Sequence, residues 1–416
     1  MNHRPLPSSF SSPLPAAAGA GRLPLQKALA AIRQHLGMDV AYLSQIVGDD
    51  SVFEIIDAPG LEEIVKVGDR RSLDDVYCRH ILEGRLPELM PDTSLVPLAA
   101  DMPITSAVPI GAHMSLPVRL PDGSVYGMFC CLSAAPNPSL NARDLGTMRL
   151  FAELAAERVG ETVEAERSLS AKRTRILERT DGTGFDLALQ PICDLGTGAT
   201  VGFESLSRFA SDPYRPPNVW FDEAAEVGLG AELEVAAIRK ALAYAEQLPD
   251  TVYVSINASP ETVLSDTFAE VFATAGAPSR LMLEITEHAR VAAYEELHAA
   301  LAPLRGRGVQ LAVDDAGAGY ASLSHILQLR PDAIKLDQSL VENVDHDPAR
   351  HALASGMAMF ARELGILVVA EGIETEAERD ALRGIGIEKG QGYFLDRPAP
   401  AGEVVAGFGR TGSVAA

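Results

Sequence analysis

The stretch with the clearest chemical content is Leu311–Tyr320, LAVDDAGAGY, in which an apolar strand-like run reaches two adjacent carboxylates, Asp314 and Asp315, and then a glycine-bearing loop. Neighbouring side chains on a strand point to opposite faces, so a regular strand would keep only one of the pair in any site. Where the strand ends and the chain turns, both can converge. Two carboxylates that close repel unless one is protonated or a positive group lies between them, and a hard divalent cation is the usual remedy. An isolated Asp-Asp is more often a solvated turn or a helix cap. The pattern gains weight because it recurs at other strand ends.

Strand-like runs follow one another through the second half of the chain: FDLALQPI, TVGFESL, VYVSINAS, LMLEITE, LAVDDAG, AIKLD, ILVVAEGIE and GYFL. Helical stretches at Val219–Leu248, Pro260–Ala275, Ala289–Gly306, Tyr320–Leu329 and Ala349–Leu364 separate most of them. Alternation of this kind predicts an α/β TIM-like (β/α)8 barrel. The first connection, Cys193–Ala199, is too short for a helix and carries Gly196 and Gly198, so one of the first two strands is expected to run antiparallel to the rest. Barrel sites gather where strands end. Those ends carry Gln190, Glu204, Asn257, Glu284 with Glu287, Asp314 with Asp315, Lys335 with Asp337, and Glu371, with Gln391 beside the last run. Burying a charge costs several kcal/mol unless it is paired or metal-bound, so stability alone does not explain so many. The donors are oxygens, with no His or Cys among them, which favours Mg2+ or Mn2+ over zinc.

Composition narrows the classes. With 416 residues the chain has room for two or three domains, and its 47% hydrophobic content suits a globular protein. A net charge of −22 argues against a nucleic-acid or anionic-membrane binder, both of which need a basic face. The four cysteines, Cys78, Cys130, Cys131 and Cys193, show no CxxC spacing, so reduced thiols and a cytoplasmic setting are expected. Residues 1–24, rich in Pro, Ser, Ala and Gly, read as a disordered arm without a signal peptide or membrane span.

Between Leu25 and Arg158, periodicity predicts a helix at Leu25–Leu36, strands at Val40–Ile46 and Val52–Ile56, and a hairpin of Met114–Leu120 with Val125–Leu132 across Pro121-Asp122-Gly123. This is a small α+β domain. LDDVYCRHILEGRLPELMPDT (Leu73–Thr93) and SLPVRLPDGSVYGMFCCLSAAP (Ser115–Pro136) resemble the GAF domain, a resemblance that implies an unknown small ligand or signal. Cys78 and His80 lack the Cys-His order typical of bilin attachment, so Cys78 reads as a small buried residue. The apolar positions Leu145, Met148, Ala152, Ala155, Val159 and Val163 predict a helix with one stripe. Either the stripe closes the first domain, or it continues as a parallel two-helix connector in a dimer.

ESLSR (Glu204–Arg208), SIN (Ser255–Asn257), LEITE (Leu283–Glu287), DDAGAGYASL (Asp314–Leu323), IKLD (Ile334–Asp337), AEGIE (Ala370–Glu374) and QGYFL (Gln391–Leu395) resemble, in order and spacing, the motifs of EAL-domain cyclic di-GMP phosphodiesterases. The resemblance implies a metal held by Glu204, Asn257, Glu284 and Asp314, and a second shared between Asp314 and Asp315. Lys335 and Glu371 would orient or deprotonate the attacking water, with Glu204 counted among the catalytic groups. Gln190, Arg208 and Gln391 would contact substrate, with Asp337 grouped beside them, and Glu287 would anchor the loop after Asp315. The expected reaction opens cyclic di-GMP to linear pGpG. Ser205 stands where the family usually has Ala, and Ala316 and Ala318 where Phe and Thr are typical; the loop changes are expected to weaken activity or make it depend on the first domain. No diguanylate cyclase-like segment occurs. The expected layout is an arm (1–24), a GAF-like sensory domain (25–160), a helical linker (161–180) and an EAL domain (181–410), assembled as a homodimer without nucleic acid or membrane. The rival reading is an inactive EAL module that binds cyclic di-GMP or a protein.

Overall fold

The structure is a computed structural model that describes residues 19–63, 65–286, 294–316 and 322–411. The chain divides into two compact units, Met1–Ser168 and Leu169–Ala416.

In the first unit, six strands form one antiparallel sheet: β1 (Val40–Val47), β2 (Asp50–Asp57), β3 (Arg70–Ser72), β4 (Leu89–Met90), β5 (Ala112–Arg119) and β6 (Val125–Ser133), in the spatial order β3-β2-β1-β6-β5-β4. The expected hairpin is present. Asp122 and Gly123 turn β5 into β6, and Gly123 takes a φ of 81° that a side chain would resist. One face of the sheet packs Leu29 and Ile32 of helix Gly19–Leu36 against Met148, Ala152, Ala155 and Val159 of helix Ala142–Leu177. The predicted apolar stripe is thus buried on the first unit's own sheet. The other face packs Tyr77, Cys78 and Ile81 of helix Tyr77–Leu82 and Ala99 of a short helix. The opening helix begins at Gly19, six residues before the expected boundary; the rest of the expected arm lies outside the described residues.

The second unit is a closed eight-stranded barrel of β7 (Phe185–Asp194), β8 (Thr200–Phe209), β9 (Tyr253–Asn257), β10 (Leu281–Thr286), β11 (Gln310–Ala316), β12 (Ala333–Leu336), β13 (Leu367–Ala370) and β14 (Lys389–Gly390), with β15 (Ala399–Pro400) outside on β7. Pairing of β14 with β7 closes it. β7 runs antiparallel to both neighbours, as the short first connection requires; there Asp194 Oδ1 accepts from the Gly196 and Thr197 amides, and Gly198 takes a φ of 73°. Three readings need correction. The stretch Pro260–Ala275 is two helices, Pro260–Val263 and Asp266–Ala273, the latter capped by Ser265. The eighth strand is Lys389–Gly390, and GYFL lies in turns after it, where Ile373 and Gln391 share a backbone hydrogen bond. The stretch Val219–Leu248 is two helices, Pro217–Glu226 and Gly230–Ala245, separated at Gly228, whose φ of 68° no helix continues through.

Candidate active site

Strand register decides which side chains meet. β7 and β8 set Gln190 opposite Glu204, and β9 and β10 set Asn257 beside Glu284. The acid pair on β11 does what a regular strand cannot. The β11–β12 ladder loses register between Val313 and Ala316, and Asp315 takes a left-handed φ of 55°. This local break brings oxygens of Asp314, Asp315 and Glu371 within 4.8 Å of one another, while Glu204, Glu284 and Asp314 form a second such group sharing Asp314. Backbone strain of about 1–3 kcal/mol at a non-glycine residue persists only where surrounding structure holds it in place.

At the centre stands Lys335, 1% exposed. Its Nζ lies 3.4 Å from Glu204, 2.9 Å from Glu284, 3.1 Å from Asp314 and 2.8 Å from Glu371. One ammonium faces four carboxylates, so negative charge remains in excess. Burial pushes the Glu284 carboxyl up to about 8, despite the Lys335 charge beside it, and neighbouring Glu204 and Asp314 add to the rise. Burial likewise raises Glu371 well above the carboxylate range. For Lys335, burial opposes the charged form, yet the four acids together hold its pKa above the ordinary value.

Hydrogen bonds fix the acids further. Ser255 Oγ donates to Glu284, and Asn257 Nδ2 lies 3.4 Å from Glu204 Oε1. Gln391 Nε2 donates to Glu204 Oε2 at 2.5 Å and to Glu371 Oε1 at 2.8 Å, while its buried Oε1 has no hydrogen-bond partner among the described residues. Ser205, the departure from the usual alanine, donates to the Ser255 carbonyl at 2.8 Å, so its extra hydroxyl is satisfied. The acids open into a cavity of about 390 Å3 whose lining includes Gln190, Asp337, Gln338, Glu374 and Tyr393. Asp337 also caps helix Gln338–Val341 through the Ser339 amide. Arg208 lines an adjoining cavity of about 440 Å3 with Asn257 and Glu284, its guanidinium donating to the Ser207 carbonyl.

Of the expected site residues, Glu204, Glu284, Asp314, Glu371, Lys335 and Gln391 meet directly, Asp315 joins through the strand break, and Gln190, Asn257, Asp337 and Arg208 border the cavities. Glu287 and Ala318 lie outside the described residues; Ala316 is fully buried in the barrel core. Sequence reasoning assigned nothing to Ser255, whose place in SIN between Glu204 and Glu284 was the available signal, or to Tyr393, whose half-exposed ring was visible only as part of QGYFL.

The donor set fits hard divalent cations. It consists of carboxylate oxygens, the surplus charge exceeds what Lys335 offsets, and the Gln391 carbonyl is buried without a partner among the described residues.

The model of the EAL domain matches residues 173–398, and the model of the GAF domain matches residues 24–159. An uncharacterized signaling protein of Caulobacter vibrioides is 37% identical over 219 residues, covering 51% of this chain and 27% of that protein. The cyclic di-GMP phosphodiesterase RocR of Pseudomonas aeruginosa is 30% identical over 239 residues, covering 54% of this chain and 60% of that one. The matched region therefore spans less than two thirds of these relatives' own length. Among solved structures, the phosphodiesterase PaMucR of Pseudomonas aeruginosa, in complex with c-di-GMP, superposes with a TM-score of 0.50 at 26% identity, covering 57% of this chain and 99% of that one.

Proposed function

Because the chain belongs to the EAL-domain family and carries a GAF domain ahead of the barrel, we propose that it hydrolyses cyclic di-GMP to linear pGpG, using two divalent cations, under control of the first domain. The observation that carries this reading is the pair of acidic groups sharing Asp314 around a buried lysine. Glu204, Asn257, Glu284 and Asp314 would hold one ion, and Asp314 with Asp315 the other. When bound, Mg2+ or Mn2+ supplies Lewis-acid polarisation of the phosphate and lowers the pKa of water.

The remaining steps belong to the chain. Water adds across one phosphodiester: its oxygen bonds to phosphorus, the bond to the ribose 3′ oxygen breaks, and a proton passes to that leaving oxygen. Glu371, 2.8 Å from Lys335, would with that lysine orient the attacking water or take its proton. Lys335 keeps a positive charge where the phosphate accumulates negative charge. Arg208, Gln190 and Gln391 hold the substrate, Arg208 through its planar fork. Glu204 is both ligand and part of the charge set that keeps Lys335 in place. The first domain's role is read as regulation by a small ligand, in a homodimer. No described helix is long and apolar enough to cross a membrane, and the four cysteines are free and buried, which supports a reducing, cytoplasmic setting.

The test is incubation of purified protein with cyclic di-GMP and Mg2+ or Mn2+, followed by chromatography. Appearance of pGpG, lost on chelation, supports the reading. Binding without turnover at any metal concentration replaces it with a cyclic di-GMP receptor.

A further inference from the structure

The first unit contains a cavity of about 360 Å3, within the range of small-molecule sites. It lies on the sheet face that packs helix Tyr77–Leu82, and its walls are mainly aliphatic and aromatic. Tyr42 and Phe53 form a tilted ring pair at 4.7 Å on one side. Two polar features break the apolar lining. His113 of β5 is 2% exposed; its ring interacts with the buried Cys130 thiol, and its Nδ1 has no hydrogen-bond partner among the described residues. Its ring is fixed edge-on against Tyr77 at 4.9 Å and 88°, and the Tyr77 hydroxyl is itself committed to Thr105 at 2.5 Å. At the exposed edge lies Arg71 of β3, whose guanidinium makes no ion pair among the described residues. Asp39, also at the edge, accepts from the Ala134 amide at 2.8 Å.

A buried imidazole nitrogen left without a partner is destabilising, so the site gains when something supplies the missing hydrogen bond. Water alone would leave the apolar walls wet. A flat apolar ring satisfies the walls, one ring N–H or hydroxyl satisfies His113, and an anionic group satisfies Arg71. From this arrangement we propose that the cavity binds a small aromatic carboxylate bearing one ring N–H or hydroxyl, its ring between Tyr42 and Tyr77, its polar ring atom at His113 and its carboxylate at Arg71. The inference rests on reading the first unit as a ligand-responsive regulator.

The test is calorimetric titration of the full chain with indole-3-acetate, 4-hydroxybenzoate, benzoate, indole, cyclic AMP and cyclic GMP. Indole-3-acetate and 4-hydroxybenzoate are expected to bind at least about tenfold more tightly than benzoate or indole, as one charge-assisted or buried hydrogen bond is worth that much. Arg71→Met is expected to remove the advantage of indole-3-acetate over indole, and His113→Phe the advantage of 4-hydroxybenzoate over benzoate. Ala107→Trp, at the rim, is expected to abolish all binding with thermal unfolding unchanged. Absence of binding by both aromatic carboxylates, binding indifferent to Arg71→Met, or preference for a cyclic nucleotide overturns the proposal. Cyclic di-GMP hydrolysis is measured in the same samples. Ligand binding that leaves hydrolysis unchanged defeats the regulatory reading while the ligand assignment stands, and absence of hydrolysis defeats the enzymatic reading alone.

Discussion

The barrel mouth and the hollow of the first unit enclose similar volumes, about 390 and about 360 Å3, with opposite chemistry. In the barrel, four carboxylates crowd one lysine, and the imbalance is one of charge. In the first unit the walls are mainly apolar, and among the described residues what stays unanswered is the His113 Nδ1 and, at the edge, the Arg71 guanidinium. Excess negative charge in a low-dielectric pocket is offset by positive charge, so the barrel mouth suits hard cations. An apolar hollow with a buried imidazole and an arginine at its edge suits the proposed aromatic carboxylate. The difference teaches that what a cavity lacks identifies its occupant better than its size does.

The sharpest way to break the barrel side of this contrast is Glu204→Ala, which removes a carboxylate bonded to Gln391 and paired with Lys335. Turnover is expected to fall by about a thousandfold or more, read as pGpG formed per unit time. Residual turnover within tenfold of the parent would mean that the acid set is not the reacting centre.

Next is Lys335→Met. Removing the one buried ammonium leaves its carboxylates facing each other, and the metal-free chain is expected to lose about 3–5 kcal/mol, measured by denaturant unfolding in chelator. Saturating Mn2+ should recover a larger part of stability in the variant than in the parent. Equal responses would show that the lysine and the cations do not answer the same charge.

A smaller effect is expected at Glu378, which lies outside the charged cluster and accepts from the Asn343, Glu374 and Thr375 amides, fastening the loop that follows Glu371. Burial works against the Glu378 carboxylate, but those backbone donors hold its pKa below the ordinary value. A folded-state pKa below the unfolded one gives stability that is full above about 4.5 and lost as pH falls through the folded value. Glu378→Ala should cost about 2–3 kcal/mol at pH 7, and the deficit relative to the parent should shrink below pH 4, followed by thermal unfolding across that range.

The smallest is Gly372→Ala. Gly372 has a φ of 69°, and a Cβ there would collide with the Gln338 side chain. A loss of about 1 kcal/mol is expected, with substrate affinity lowered more than stability because both residues line the barrel cavity. A neutral outcome in both unfolding and binding would show that this edge of the cavity is soft.

Much of the barrel was legible in the chain itself. Strand-like runs alternating with helical stretches gave the architecture, and the short Cys193–Ala199 connection gave the antiparallel first strand, because backbone reach and glycine conformations are local properties. Acids and amides at the ends of those runs were visible as the candidate site, since each sits at the close of its own apolar segment. The error at the eighth strand has the same origin. GYFL is apolar enough to read as a strand, but the pairing that defines β14 lies with Lys389 and Gly390, and pairing partners are not local.

Tertiary structure alone decided the rest. The chain names Asp314 and Asp315 as neighbours, yet only the slipped β11–β12 ladder and the left-handed turn at Asp315 aim both toward Glu371. Lys335 reads as one lysine on a strand, and only closure of the barrel sets it among acids from β8, β10, β11 and the end of β13. His113, Arg71 and Tyr77 lie on three separate elements with no motif joining them, so the hollow in the first unit exists only once the sheet has paired. Residue types and spacing fix local geometry and chemical capacity, whereas convergence of distant side chains depends on strand register and closure.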